Sequence, residues 1–200
     1  MSDSSYTFEI PREWPFGRWK NILEIDESGV KYKGSFISSN EYEALSLRLL
    51  QYTRNFLREG TYREITISGG NKEIKIEFDD AFYGKFRGKL YETVLPTIMD
   101  QVGSRIFENI KIKLLKNIDV AIGGAIFGIM GAQLFERTSF FGSKGKLIFV
   151  PYERLRYSIT NGTIQMSDSL HRNLDCSFPY YTENGWLIDP LLNFLRNRNK

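Results

Sequence analysis

Apolar and polar residues alternate along most of this chain, and a period of two predicts strands. Residues 22–25 and 30–33 alternate on either side of a turn at 26–29, which predicts a hairpin. Residues 44–52 fit a helix or a strand; Leu45, Leu47 and Leu49 favour the strand, and Leu50 breaks the alternation. Glu59-Gly60 reads as a turn. Residues 62–68 and 73–78 are β-rich and flank Gly69-Gly70-Asn71, a tight-turn sequence. Residues 79–88 read as a loop.

The period then changes. Tyr91, Val94, Leu95, Ile98, Met99, Val102, Ile106 and Phe107 recur every three or four residues, giving one apolar helical stripe. This helix starts near Lys89, begins or bends at Pro96, and ends by Asn109. Ile110, Ile112 and Leu114 alternate with Lys111 and Lys113, as in a strand or an extended linker. Residues 120–135 lack charge and contain Gly123, Gly124, Gly128 and Gly131. The expected form is a buried hairpin turning at Gly131. The alternative, a membrane-inserted segment, draws on the Gly124–Gly128 spacing. Strands follow at 133–141, 146–150, 154–160 and 163–166, with turns at 142–145 and at Asn161-Gly162. Residues 174–181 are β-prone, and Asp189-Pro190 reads as a helix start.

Residues 1–20 differ from the rest. Pro11, Pro15 and Gly17 interrupt regular structure, while Trp14, Phe16 and Trp19 are large anchors. They suggest an arm that packs on its own domain or meets a partner. The first seven residues lack the apolar core of a signal peptide.

Composition narrows the function. The 200 residues are 42% hydrophobic and 26% charged, enough for a core and too balanced for disorder. One Cys excludes an internal disulfide framework, and one His excludes sites built on two imidazoles. The net charge of +3 is too small and too evenly spread for a dedicated nucleic-acid binder. The cytoplasm is the expected location, with a peripheral position at the inner membrane as the alternative.

The two halves share an order of elements. Tyr42-Glu-Ala-Leu45 and Tyr152-Glu-Arg-Leu155 fall at matching places, preceded by Gly29 and Gly131. This pattern resembles the bacterial pleckstrin-homology-like (PH-like) domains. In the second half, residues 127–141 look like the opening hairpin. Val150-Pro-Tyr-Glu-Arg-Leu155 looks like the family's I-P-W/Y-x-x-I strand entry. Asn161-Gly-Thr-Ile164 looks like the third hairpin, and residues 184–195 like the C-terminal helix. Residues 22–32, 42–45, 65–78 and 90–107 fill the same roles more loosely. The resemblance implies a mainly β protein with α: two tandem PH-like modules, each a curved antiparallel sheet or partly open barrel capped by a C-terminal helix. The expected divisions are an arm at 1–20 and modules at 21–117 and 118–200. The family implies binding or scaffolding rather than an activity.

No catalytic set, metal cluster or cofactor motif emerges. His171 has no nucleophile or acid at a known spacing, and Cys176 reads as a small buried thiol. The adjacent acids Asp26-Glu27 and Asp79-Asp80 read as turn residues, since neighbouring strand positions face opposite ways. The first hairpin offers only Lys31 and Lys33, without the dense basic loop of phosphoinositide-binding members. Lys111, Lys113 and Lys116 form a second basic group and Arg196, Arg198 and Lys200 a third, with Lys111 and Lys113 on one face if their segment is a strand. The expected function is a non-catalytic adaptor for a protein partner, with Trp14, Phe16 and Trp19 as candidate contacts. The alternative is a membrane-surface protein holding anionic lipid through Lys31, Lys33, Lys111, Lys113 and Lys116. An enzyme with an unrecognised site is a third class. A homo-oligomer is compatible with each.

Overall fold

The computed structural model describes residues 5–11, 20–54, 58–79, 86–137, 144–171 and 174–198. The chain forms two compact units, Met1–Ile106 and Phe107–Lys200. The division falls inside a helical segment, ahead of the expected boundary at 117/118. Mainly β architecture is observed, with several open antiparallel sheets.

Unit 1 opens with a four-stranded antiparallel sheet in the order β1 (Tyr6–Pro11), β2 (Lys20–Asp26), β3 (Gly29–Tyr32), β4 (Ser35–Ser38). A three-stranded sheet follows: β5 (Tyr42–Arg54), β6 (Arg58–Gly69), β7 (Lys72–Asp79). Leu23, Ile25, Val30 and Ile37 of the first sheet and Leu45, Ile65, Ile67 and Ile76 of the second are fully buried. The second faces take most of the polar residues, as period-two patterning favours, with Ile22 and Phe36 among the exposed apolar exceptions. Helix α1 (Phe86–Ile98) lies against β7, where Phe78 meets Tyr91 edge to face at 5.4 Å.

Unit 2 repeats the order. Its four-stranded sheet runs β8 (Val120–Ile122), β9 (Ala125–Phe127), β10 (Gly131–Arg137), β11 (Lys144–Pro151). Its three-stranded sheet runs β12 (Leu155–Thr160), β13 (Thr163–Asp168), β14 (Asp175–Pro179). A short 3-10 turn, Gly185–Leu187, leads into a closing helix, Ile188–Arg198. Leu187, Ile188, Leu191, Leu192 and Leu195 are buried. Arg196 ties this helix to β12: its Nη2 donates to the Leu155 carbonyl at 2.6 Å and its guanidinium lies 5.6 Å from the Tyr157 ring centre. The Tyr157 hydroxyl donates to the Asp189 carboxylate.

The turns follow their sequences. Gly70 and Asn71 (φ 55° and 67°) and Asn161 and Gly162 (φ 51° and 70°) make left-handed pairs that join neighbouring strands. Several expectations are corrected. Tyr6–Pro11, read as part of an arm, is an edge strand paired with β2 along its length. Trp14, Phe16 and Trp19 lie outside the described residues. Glu59 and Gly60 do not turn: they pair with Thr53 and Tyr52 and extend the β5–β6 hairpin past the end of β7. Gly88, read as loop, lies in α1.

The helix corrects two further readings. It passes through Pro96 without ending, then widens into a π segment, Met99–Gly103, where the Ser104 N–H donates to the Met99 carbonyl. It continues as α2 (Ser104–Leu115), so residues 110–114 are helical, not extended. The alternation of isoleucine and lysine fits both periods there. Ile106, Ile110 and Leu114 are buried four residues apart, which only a helix explains; Ile112 is exposed.

Residues 120–135 form β8, β9 and most of β10, not one hairpin turning at Gly131. The glycines have a packing reason. A Cβ on Gly123 would strike the Phe178 ring, and one on Gly124 would lie 2.7 Å from the Cys176 sulfur. Bare backbone therefore lets the β8–β9 turn approach β14. No helix among the described residues is long and apolar enough to cross a membrane.

The likeness between the two units extends to individual positions. Gly29 opens β3 and Gly131 opens β10, the third strand of each four-stranded sheet. A Cβ on either would meet a fourth-strand carbonyl and phenylalanine ring: Ile37 and Phe36 in unit 1, Val150 and Phe149 in unit 2. Tyr42 opens the second sheet of unit 1 and Tyr152 lies in the turn just ahead of the second sheet of unit 2, both buried. Burial raises both phenol pKa values, that of Tyr42 to about 12. Their hydroxyls differ. That of Tyr152 donates to the Gly128 carbonyl at 2.5 Å, while that of Tyr42 has no hydrogen-bond partner among the described residues. Tyr152→Phe is expected to lower unfolding stability by about 1 kcal/mol, because the half-buried Gly128 carbonyl loses this donor. Tyr42→Phe is expected to be neutral or stabilising, because it removes an unsatisfied buried hydroxyl. Chemical denaturation of both variants reads the difference.

Candidate functional site

The polar side chains that could carry chemistry serve the fold. The Asp26 Oδ1 accepts from the Ser28 N–H at 2.7 Å, the Ser28 hydroxyl at 2.5 Å and the Gly29 N–H at 3.2 Å. These bonds hold its carboxyl below the ordinary range and fix the β2–β3 turn. Asp80 lies outside the described residues. Cys176 is buried in β14, and His171 follows β13 with its Nδ1 3.7 Å from the Asp168 carboxylate. No group of three potential metal ligands occurs among the described residues.

Asp168 is the most confined charge described, with a side chain closed to solvent. Arg154 grips it with two donors: Nε–H reaches Oδ1 at 3.0 Å, and Nη2 reaches Oδ2. The Leu170 N–H adds a third bond at 3.0 Å. These contacts, Arg154 first, hold the carboxyl below its ordinary value. They clasp the open end of the β12–β13 hairpin, where Leu155 pairs with Asp168.

A second carboxylate pair escaped the sequence reading. Glu64 and Glu77 face each other across β6 and β7, and the Tyr62 hydroxyl lies 2.7 Å from each. Its single proton serves one acid at a time. Burial and the two carboxylates raise the phenol's pKa. On the far side of Glu64, β5 places Arg48 in register.

The lysines of each unit have different settings. Lys31 is ion-paired to its cross-strand neighbour Glu24 at 2.9 Å. Lys33 occupies the β3–β4 turn with its Nζ 5.2 Å from the Tyr32 ring centre. Lys111 pairs with Glu108 at 2.5 Å and lies over the rings of Phe107 and Phe194, at 5.0 and 5.6 Å. Because the segment is helical, Lys111 and Lys113 point to different faces. Lys113 and Lys116 are exposed near Ile112, Leu115 and Ile118, which are also exposed.

The two four-stranded sheets differ most on their outward faces. In unit 1 one cross-strand row reads Thr7, Glu24, Lys31, Phe36. The Lys31–Glu24 pair and the nearby Lys20–Glu9 pair make this face charged. The matching row in unit 2 reads Ala121, Ile126, Gln133, Phe149. The next row adds Phe135 opposite Leu147. Neither row carries a charge. Phe149 is 53% and Leu147 39% exposed on β11, which ends the sheet order. The available sequence signal was the unbroken apolar run 147–150, where a half-exposed strand should alternate.

No family model, no curated protein and no solved structure matches this chain.

Asp168→Asn is expected to destabilise the chain by about 1–2 kcal/mol at neutral pH, by weakening a charge-assisted hydrogen-bond set. A carboxyl held below its ordinary value of 3.8 stabilises the fold above that value. This contribution disappears as pH falls through the lower folded-state value. Denaturation of parent and variant should therefore differ by a constant amount above about pH 5 and converge on further acidification.

Proposed function

We propose that the chain is a non-catalytic adaptor of two PH-like modules, and that its second module binds a protein through the outward face of its four-stranded sheet. One observation carries the reading. Equivalent rows of the two units are ion-paired in one and uncharged in the other. An exposed antiparallel face is ordinarily polar, and an apolar patch bordered by polar residues marks an interaction surface. The PH-like part of the proposal draws support from the element order: four strands, three strands and a helix, twice. The adaptor part draws support from the use of Asp26, Asp168 and Asp189 as turn, clasp and helix-anchoring groups.

A photo-crosslinking residue at Phe149, introduced in cells that make the protein, is expected to trap a defined protein adduct. The same residue at Phe36 serves as the matched control and is expected to trap none. Equal or absent crosslinking at the two positions would sink the adaptor reading. The lipid alternative has its own readout. Anionic vesicles at low salt are expected to float without the chain. Flotation that Lys113→Glu and Lys116→Glu abolish would replace the protein partner with a lipid surface.

A further inference from the structure

Five non-glycine residues among those described hold a left-handed backbone, and four are asparagines: Asn71, Asn117, Asn161 and Asn184. Asn161 and Asn184 precede glycine, and these are the two Asn-Gly pairs of the sequence. In such a pair the glycine nitrogen can attack the asparagine side-chain amide, because no Cβ obstructs the five-membered ring that forms. Lys72 and Ile118 follow the other two asparagines and do obstruct it. The two Asn-Gly pairs have opposite settings. Asn161-Gly162 is the tip of the β12–β13 hairpin, within five consecutive exposed residues, 158–162. The Gly162 N–H makes no hydrogen bond among the described residues, and a Cβ there would meet nothing within 4 Å. Asn184-Gly185 is buried. The Gly185 N–H donates to the Thr182 carbonyl at 2.8 Å, and the Asn184 carbonyl accepts from the Leu187 N–H at 2.9 Å. A Cβ on Gly185 would lie 2.5 Å from the Tyr180 carbonyl oxygen. The Gly185 nitrogen is thus engaged as a donor, and its peptide cannot rotate without breaking the 3-10 turn.

We propose that Asn161 is a site of spontaneous modification: it deamidates through a succinimide to aspartate and isoaspartate, and the isoaspartate loosens the β12–β13 hairpin, while the fold keeps Asn184 intact. The chemistry is independent of what the chain binds. The Gly162 nitrogen gives its proton to hydroxide and bonds to Cγ of Asn161. The Cγ–Nδ2 bond breaks, and ammonia leaves with a proton from water, which restores the hydroxide. Water then opens the ring. Breaking the new bond to Cγ gives aspartate; breaking the original peptide bond gives isoaspartate, whose main chain runs through Cγ. No atom is oxidised or reduced. Ring closure needs the Asn161–Gly162 peptide to swing out of its turn, and an exposed tip opens far more often than a buried, hydrogen-bonded segment. Aspartate tolerates a left-handed backbone and fits the same turn. Isoaspartate adds a main-chain carbon between Thr160 and Thr163, which pair across the two-residue turn. It also disturbs the bond at 2.8 Å from the Tyr180 N–H to the Gly162 carbonyl.

Incubation of the full chain at mildly alkaline pH, followed by peptide mass mapping, tests this. Trypsin places the two sites on different peptides, 157–172 and 173–196. In the folded chain, deamidation at Asn161 is expected to be at least tenfold faster than at Asn184. In concentrated urea, where burial no longer distinguishes them, the two rates should agree within about threefold. Enzymatic methylation of isoaspartate should label peptide 157–172 from the aged, folded protein and should not label it from Asn161→Gln. The isoaspartyl form, separated by its added charge, should unfold at lower denaturant than freshly made Asn161→Asp, which carries the same charge on an ordinary backbone. Two results overturn the proposal: an Asn161 that reacts no faster than Asn184 in the folded chain, or an isoaspartyl form as stable as Asn161→Asp.

Discussion

An antiparallel sheet inside a small module can hide only one of its two faces, and the other must be fit for water. Both units of this chain are organised by that constraint. The inward rows are mainly apolar: Leu23, Ile25, Val30 and Ile37 in unit 1, where Asn21 is a buried polar exception, and Phe127, Ala132, Leu134 and Val150 in unit 2. The outward rows are where the units diverge. Glu24 and Lys31 neutralise each other across neighbouring strands of unit 1, which makes that face soluble at small energetic gain. Ile126, Gln133 and Phe149 occupy the same places in unit 2 and offer water no charge.

The alternation and the glycine turns were legible in the sequence because each has a local cause. The left-handed pairs at Gly70-Asn71 and Asn161-Gly162 need residues that tolerate positive φ, and those residues were visible. The strand reading of residues 44–52 held because Leu45 and Leu47 share a parity that β5 respects. Residues 110–114 misled for the same local reason. Two isoleucines and a leucine spaced two apart fit a strand, and the burial of Ile110 and Leu114 with Ile106 becomes evident only when the helix is followed back through the π segment. Residues 120–135 misled because glycine has two uses. It weakens helices and marks turns, but at Gly123 and Gly124 it clears space for Phe178 and Cys176, which lie some fifty residues away in sequence.

The candidate site was less legible. Lys31 and Lys111 were visible as charges, but their neutralisation by Glu24 and Glu108 depends on strand register and helical phase. The Arg154–Asp168 clasp joins residues on either side of a hairpin, a spacing no motif encodes. The apolar outward row is built from four strands and requires the sheet order before its members can be aligned. One trace of it was present: a run from Leu147 to Val150 without a polar break, which reads as a strand covered on both sides.

That trace also explains how one repeated architecture can hold two surfaces. Gly29 and Gly131 each leave room for a phenylalanine ring on the fourth strand, so both units keep Phe36 or Phe149 as a structural element. The ring is thus already present on the outward face for reasons of packing. Replacing its charged row neighbours, Glu24 and Lys31 in unit 1, by Ile126 and Gln133 in unit 2 is enough to convert a wet face to an apolar one. The inward rows need no change, so the core and the outer surface can be altered independently. A sheet of this kind can change its outer surface without disturbing the contacts that hold it folded.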